Sequence, residues 1–322
     1  MTAALTRQRP GSAIEKSSHP ALDACDLTYL HPGGRGVHDL SLRIARETVL
    51  GLIGPNGSGK STLLNLLSGL LQPHSGSLSV LGGSPRTAAA RLGWVFQEQS
   101  LDPLLTVRET LALSGHLYGV SQATAGSSLE VVDLTERLDD RVSTLSGGMK
   151  RRLELARAIQ HAPDLLIMDE PTLGLDLDSR RAIWNHLADL NAAGLTIVVA
   201  TNDVSEAERV CNDIAFLRDG RLVAHDTPQA LKEGLREQSL HLRWPDLSAA
   251  DFDTITRLDG VTGARRSGDV VRLTTPDGRS LLAAIAAMTS GQIEEIEIRP
   301  SSLEDAYFQL TGSPLIDEES QS

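Results

Sequence analysis

A five-residue apolar run, Val49–Ile53, leads into Gly54-Pro55-Asn56-Gly57-Ser58-Gly59-Lys60-Ser61-Thr62, and helical periodicity begins at Lys60. This junction constrains the fold more than any other stretch. A run that is apolar on both faces predicts a strand covered on both sides, as in a parallel sheet. Three glycines in six residues let the chain turn tightly and bring backbone N–H groups together with no Cβ in the way. The helix that follows adds the positive end of its dipole at the same point. Such a junction cradles the phosphates of a nucleoside triphosphate. Lys60 is then expected at the β- and γ-phosphates and the Ser61 hydroxyl at Mg2+.

The rest of the chain fits the same architecture. Residues 165–168 and 196–200 are short runs apolar on both faces, and 60–71, 150–160 and 179–192 have helical spacing. This alternation predicts an α/β domain with a mainly parallel sheet over residues 21–236. Asp219-Gly220 between residues 214–217 and 221–225 is a hairpin signal near its end. Between 97 and 145 the strand pattern stops, and Val107–Tyr118 and 129–138 read as helices, so a helical subdomain is expected at about 98–160. From 237 the order changes to strand 239–244, helix 248–258, two strands within 263–275 turning near Ser267-Gly268-Asp269, helix 280–288 and strand 293–298. The order β-α-β-β-α-β predicts a small ferredoxin-like α+β domain over 237–312. A last helix at 302–310 has a capping-box pattern in Ser301 and Glu304. Residues 1–20 read as a mobile tail without a secretory signal, and 313–322 as an acidic tail.

Composition narrows the partners. The formal charge of -12 shows no basic excess, which argues against a nucleic-acid partner. No apolar run approaches the ~18 residues that would span a bilayer. Cys25 and Cys211 form no Cys-x-x-Cys spacing and are expected as two buried thiols in a reducing compartment.

The run Leu165-Leu166-Ile167-Met168 ends in Asp169-Glu170. Alone, two acids after a strand read as a loop start or helix cap. Beside a phosphate cradle, Asp169 is expected to hold Mg2+ and Glu170 to take a proton from attacking water.

With Gln97 and Leu145-Ser146-Gly147-Gly148-Met149, these motifs make the chain resemble the nucleotide-binding subunits of ABC transporters over about residues 21–234. The resemblance implies a P-loop NTPase core and two ATP molecules sandwiched between two ATPase chains. Ser146, Gly147 and Gly148 would form an anion-binding helix end facing the partner's nucleotide. Gln97 would be the switch glutamine that contacts Mg2+ and the attacking water, and Asp176 the loop acid at the dimer interface, although aspartate there also suits a helix N-cap. Two departures stand out. The aromatic that stacks on adenine falls at His31, with Tyr29 two residues earlier on the same strand face. The histidine that touches the γ-phosphate is replaced by Asn202, which donates a hydrogen bond but carries no charge. Met149 stands where glutamine is common.

The finer resemblance is to the drug-export branch typified by daunorubicin-exporter ATPases. It is carried by Phe96-Gln97-Glu98 with Leu101-Asp102-Pro103, by Met149-Lys150-Arg151-Arg152-Leu153-Glu154, and by Ser302-Leu303-Glu304-Asp305-Ala306-Tyr307-Phe308. It implies a separately encoded membrane permease, served from the cytoplasmic face of the membrane. The docking stretch would be 97–118, with Leu101, Leu104, Leu105 and Val107 as an apolar cluster rimmed by Glu98, Asp102 and Arg108, or as anchors of the insert to the core. The competing readings are a soluble ABC ATPase of translation, repair or chromosome structure, and an ATP-dependent regulator. One phosphate loop, no long heptad run and no Cys cluster argue against the first, and Glu170 argues against the second.

Overall fold

The runs expected as doubly covered strands are buried along their whole length: β3 (Val49–Ile53), β6 (Leu165–Asp169) and β7 (Thr196–Thr201). With β5 (Leu92–Val95), β8 (Asp213–Arg218) and β9 (Arg221–Asp226) they form a six-stranded sheet in the order β5-β6-β7-β3-β8-β9. The neighbours from β5 to β8 are parallel. The connection between β8 and β9 is the expected two-residue turn, with positive φ at Asp219 and Gly220. This computed structural model describes residues 19–120, 128–233, 238–288 and 293–315. Most of the expected N-terminal tail, most of the acidic tail and residues 121–127 of the insert lie outside them.

A second sheet was not expected. β1 (Leu22–Leu30), β2 (Gly36–Ile44) and β4 (Ser75–Val80) form an antiparallel sheet in the order β2-β1-β4. Its signal was present in β2, where Leu40, Leu42 and Ile44 alternate with exposed residues. Helix Lys60–Leu67 packs against β2 of this sheet and against β6 and β7 of the other. Its residues Leu63, Leu64, Leu66 and Leu67 join Leu22, Leu27, Leu40, Leu50, Leu52 and Ile167 in one apolar core. The phosphate loop is therefore flanked at both ends by elements that share one buried apolar core.

Helix Val107–Tyr118 forms as expected, with a capping box from Thr106 to Glu109 and Gly119 in the left-handed conformation at its end. The helix expected over 129–138 does not form as one element. Asp133 has φ 54, which breaks the helical path, and only a 3-10 turn follows at Thr135–Arg137. Helix Gly147–Ile159 starts three residues before the expected 150 because Ser146 caps it, accepting from the Met149 N–H. No helix among the described residues is long and apolar enough to cross a membrane.

The chain divides into compact units at 1–225 and 226–322, ahead of the expected break at 236. The short helix Pro228–Glu233 accounts for the difference, since it packs on helix Leu303–Thr311 of the second unit. In that unit β10 (Gln238–Arg243), β11 (Gly263–Ser267), β12 (Val270–Thr275) and β13 (Glu295–Pro300) pair antiparallel in the order β11-β12-β10-β13. Leu240, Leu242, Trp244, Ile255, Val271, Leu273, Leu281 and Ile285 make its own core. The last helix begins one residue later than its expected cap. Ser302 and Asp305, not Ser301 and Glu304, form the capping box. Of the two thiols expected to be buried, Cys211 is, and its burial raises its pKa to about 12. Cys25 is exposed because it sits where the β1 register shifts.

Candidate active site

The strand order places β3 beside β7 and β7 beside β6, all parallel, so their C-terminal ends emerge together. Parallel sheets place ligands at that edge. Here it gathers the loop after β3, the carboxylates ending β6 and the residue after β7. A cleft of about 340 Å3 opens there, walled in part by Asn56 to Thr62, Gln97, Asp169, Glu170 and Asn202. Gly54 and Pro55 bound the same loop.

Backbone geometry requires the glycines. A Cβ on Gly54 would lie 2.3 Å from the Leu217 carbonyl oxygen and 2.5 Å from Ser58 Oγ. Gly59 caps the helix at φ 103, a conformation open to glycine. No side chain caps this N-terminus, which leaves first-turn N–H groups for an anion. Lys60 Nζ donates to Gly54 O at 2.6 Å, Pro55 O at 3.3 Å and Asn202 Oδ1 at 3.0 Å. Burial lowers the Lys60 pKa, and the charges of Glu170 and Asp169 oppose that shift.

Ser61 Oγ donates to Asp169 Oδ2 at 2.8 Å. A hydroxyl and a carboxylate one hydrogen bond apart suit Mg2+, which takes one or two protein oxygens and completes its shell with phosphate oxygens and water. Burial raises the Asp169 pKa, opposed by the Ser61 hydrogen bond and by Lys60 and Arg151. Glu170 lies just past the end of β6 at φ 44, a left-handed conformation uncommon for a side-chain-bearing residue. Its N–H donates to Ala200 O at 2.9 Å and its Oε2 accepts from the Asn202 N–H at 3.3 Å. Burial raises the Glu170 pKa, against the pull of Lys60 and the Asn202 N–H. A carboxylate raised in this way is a better proton acceptor. Asn202 also donates from Nδ2 to Asn56 Oδ1 at 3.4 Å, so it touches the loop, the lysine and the acid.

Other expected residues fall elsewhere. Tyr29 stacks on His74 with centroids 4.6 Å apart and packs against the core. His31 is exposed, with Nε2 3.2 Å from Thr62 Oγ1. Ser146, Gly147, Gly148 and Asp176 do not line the cleft. Asp176 caps helix Leu177–Ala192, accepting from Ser179 N and from Ser179 Oγ. The same Ser179 lies against Gly148, where a Cβ would come within 2.3 Å of its Oγ. Sequence reasoning missed Arg35, Gly36 and Leu173 in the cleft wall. Arg35 sits in the turn between β1 and β2, and nothing local in the sequence marks it.

The comparisons with known proteins decide the family. The ABC transporter family profile matches residues 37–173. The Nod factor export ATP-binding protein I of Rhizobium johnstonii is 37% identical over 302 residues, covering 91% of this chain and 95% of that protein. The chain belongs to the ABC transporter family. A solved ATP-binding subunit of an ABC transporter aligns with a TM-score of 0.61 at 29% identity, over 66% of this chain and 92% of that one. A dimeric, post-hydrolysis ATP-binding cassette bound to ADP and Pi aligns with a TM-score of 0.58 at 27% identity, over 64% of this chain and 98% of that one. The chain is an ABC ATPase, with ATP as substrate and Mg2+ as the usual ion.

Proposed function

We propose that this ABC ATPase hydrolyses MgATP between two ATPase chains on the cytoplasmic face of a membrane and powers a separate export permease. The convergence of Lys60, Ser61, Asp169, Glu170 and Asn202 in one cleft carries the reading. Lys60 neutralises the β- and γ-phosphates, and the loop N–H groups orient them. Ser61 and Asp169 would hold Mg2+, which supplies charge neutralisation across the phosphate oxygens. Glu170 accepts the proton of the attacking water, held toward the cleft by the Asn202 N–H. Gln97 and the Asn202 amide, both in the cleft wall, would orient that water and the γ-phosphate in this reading.

His31, exposed beside Thr62, is the adenine platform in this reading, because Tyr29 is engaged with His74. Ser146, Gly147, Gly148 and Asp176 complete the partner's nucleotide site. Their absence from this chain's own cleft and the dimeric state of a related cassette support that role. The name of the rhizobial relative supports export and leaves the cargo to the permease. The strand order of the second unit supports a ferredoxin-like accessory domain.

The test is Glu170→Gln. ATP binding should persist, turnover should fall by about 10²-fold, the scale of a lost general base, and gel filtration should show an ATP-dependent dimer. Turnover near that of the parent would remove Glu170 as the base.

A further inference from the structure

Helix Gly147–Ile159 carries Arg151, Glu154 and Arg157 three residues apart, and all three reach into neighbouring loops. Arg151 is 4% exposed, and its guanidinium meets five oxygens. Nε donates to Pro171 O at 2.8 Å, Nη1 to Phe96 O and to Glu154 Oε2, and Nη2 to Asp169 O at 3.0 Å and Glu170 O at 3.1 Å. That uses every donor an arginine has. Glu154 is 1% exposed, and its other oxygen accepts from Ser100 N at 2.9 Å. Arg157 then donates to Ser100 O at 3.0 Å and to Ser100 Oγ at 2.6 Å. One helix therefore grips both the strand end bearing the two site carboxylates and the loop that starts at Gln97. Its N-terminus is the Ser146-Gly147-Gly148 turn.

We propose that Arg151 and Glu154 are positioning residues, which hold Glu170 in its left-handed conformation and the Gln97 loop in one frame with this helix. A buried ion pair is weak evidence of stabilisation, since apolar side chains of similar volume often serve as well. What an apolar pair cannot do is bind the Phe96, Asp169, Glu170 and Pro171 carbonyls at once. The φ of 44 at Glu170 needs surroundings that over-determine it, and these bonds supply them. Through Glu154 and Ser100 the same pair ties the water-orienting loop to the middle of the helix whose N-terminus would meet a partner's nucleotide. The inference rests on the reading of Asp169 and Glu170 given above.

The experiment compares the full-length parent with Arg151→Lys, the double variant Arg151→Met/Glu154→Met, and Glu170→Gln. Melting temperature, MgATP affinity by calorimetry and kcat are measured for each. The double variant leaves four carbonyls and the Ser100 N–H without these partners, so it should melt below the parent yet stay folded at assay temperature. It should bind MgATP within about threefold, while kcat falls about tenfold or more, the scale of a misplaced catalytic group. Arg151→Lys has three donors for five oxygens and should show the same split of kcat from affinity. If the double variant does not fold, Arg151→Lys decides. Parent-like kcat in the folded Arg151 variants, or affinity falling in step with kcat, would overturn the inference. Parent-like turnover in Glu170→Gln would instead overturn the base assignment on which it rests.

Discussion

Asn202 stands where the resemblance leads one to expect a histidine, and the structure shows what the smaller side chain touches. Its Oδ1 accepts from Lys60 and its Nδ2 donates to Asn56, while its backbone N–H holds Glu170. The backbone contact does not depend on the side chain, so Asn202→Ala tests the amide alone. That variant should keep MgATP affinity and lose about tenfold in kcat, the scale of one hydrogen bond to a charged group. Asn202→His should retain turnover. A steady-state assay of both checks the role, and an alanine variant as fast as the parent would show the amide to be idle. Glu170 carries a second consequence. Its pKa is raised above 4.5 by burial, so the stability it contributes is complete below the unfolded value and lost as pH rises through the folded one. Nucleotide-free Glu170→Gln should therefore melt above the parent at about pH 7.5, the gap closing as pH falls toward the ordinary carboxylate range. Melting curves across that window check the sign.

At the scale of elements, the docking stretch divides. Val107 is fully buried at the start of its helix and anchors the insert, and Leu101 and Leu105 are half-buried. Leu104 is 71% exposed, however, and Leu113 and Leu117, one turn apart on helix Val107–Tyr118, are 61% and 81% exposed. Apolar groups this open suit a partner's apolar helix face. Leu104→Asp with Leu117→Asp should fold, keep ATP binding and lose permease association in a pull-down. Full association by the folded double variant would move the docking site elsewhere. Helix and strand positions were mostly legible because their periodicity is strong, as in β3, β6, β7 and Val107–Tyr118. Ends shifted where a cap decides them: Ser146 for one helix, Asp176 for another and Ser302 for the last. The β2-β1-β4 sheet was not expected because only β2 alternates cleanly: register shifts interrupt the pattern of β1, and β4 is largely open to solvent.

For the whole molecule, local patterns were enough wherever the physics is local. The glycine spacing before Lys60 requires a tight loop at a helix N-terminus, and the apolar run before Asp169 requires a buried strand that ends in charge. Those two facts determined the fold class and the substrate class and pointed to Lys60, Ser61, Asp169 and Glu170, which the fold gathers in one cleft. Only the tertiary structure could decide what depends on contacts between distant segments. The order β6-β7-β3 brings Asn202 onto Lys60 and Glu170, across sequence separations of 142 and 32. Packing stacked Tyr29 on His74 and left His31 exposed, and it placed Arg35 in the cleft wall. It also buried Arg151 among the carbonyls of two other segments. In the sequence that arginine is one charge in a basic helical run, because the oxygens it satisfies are backbone atoms, and every residue type carries the same ones.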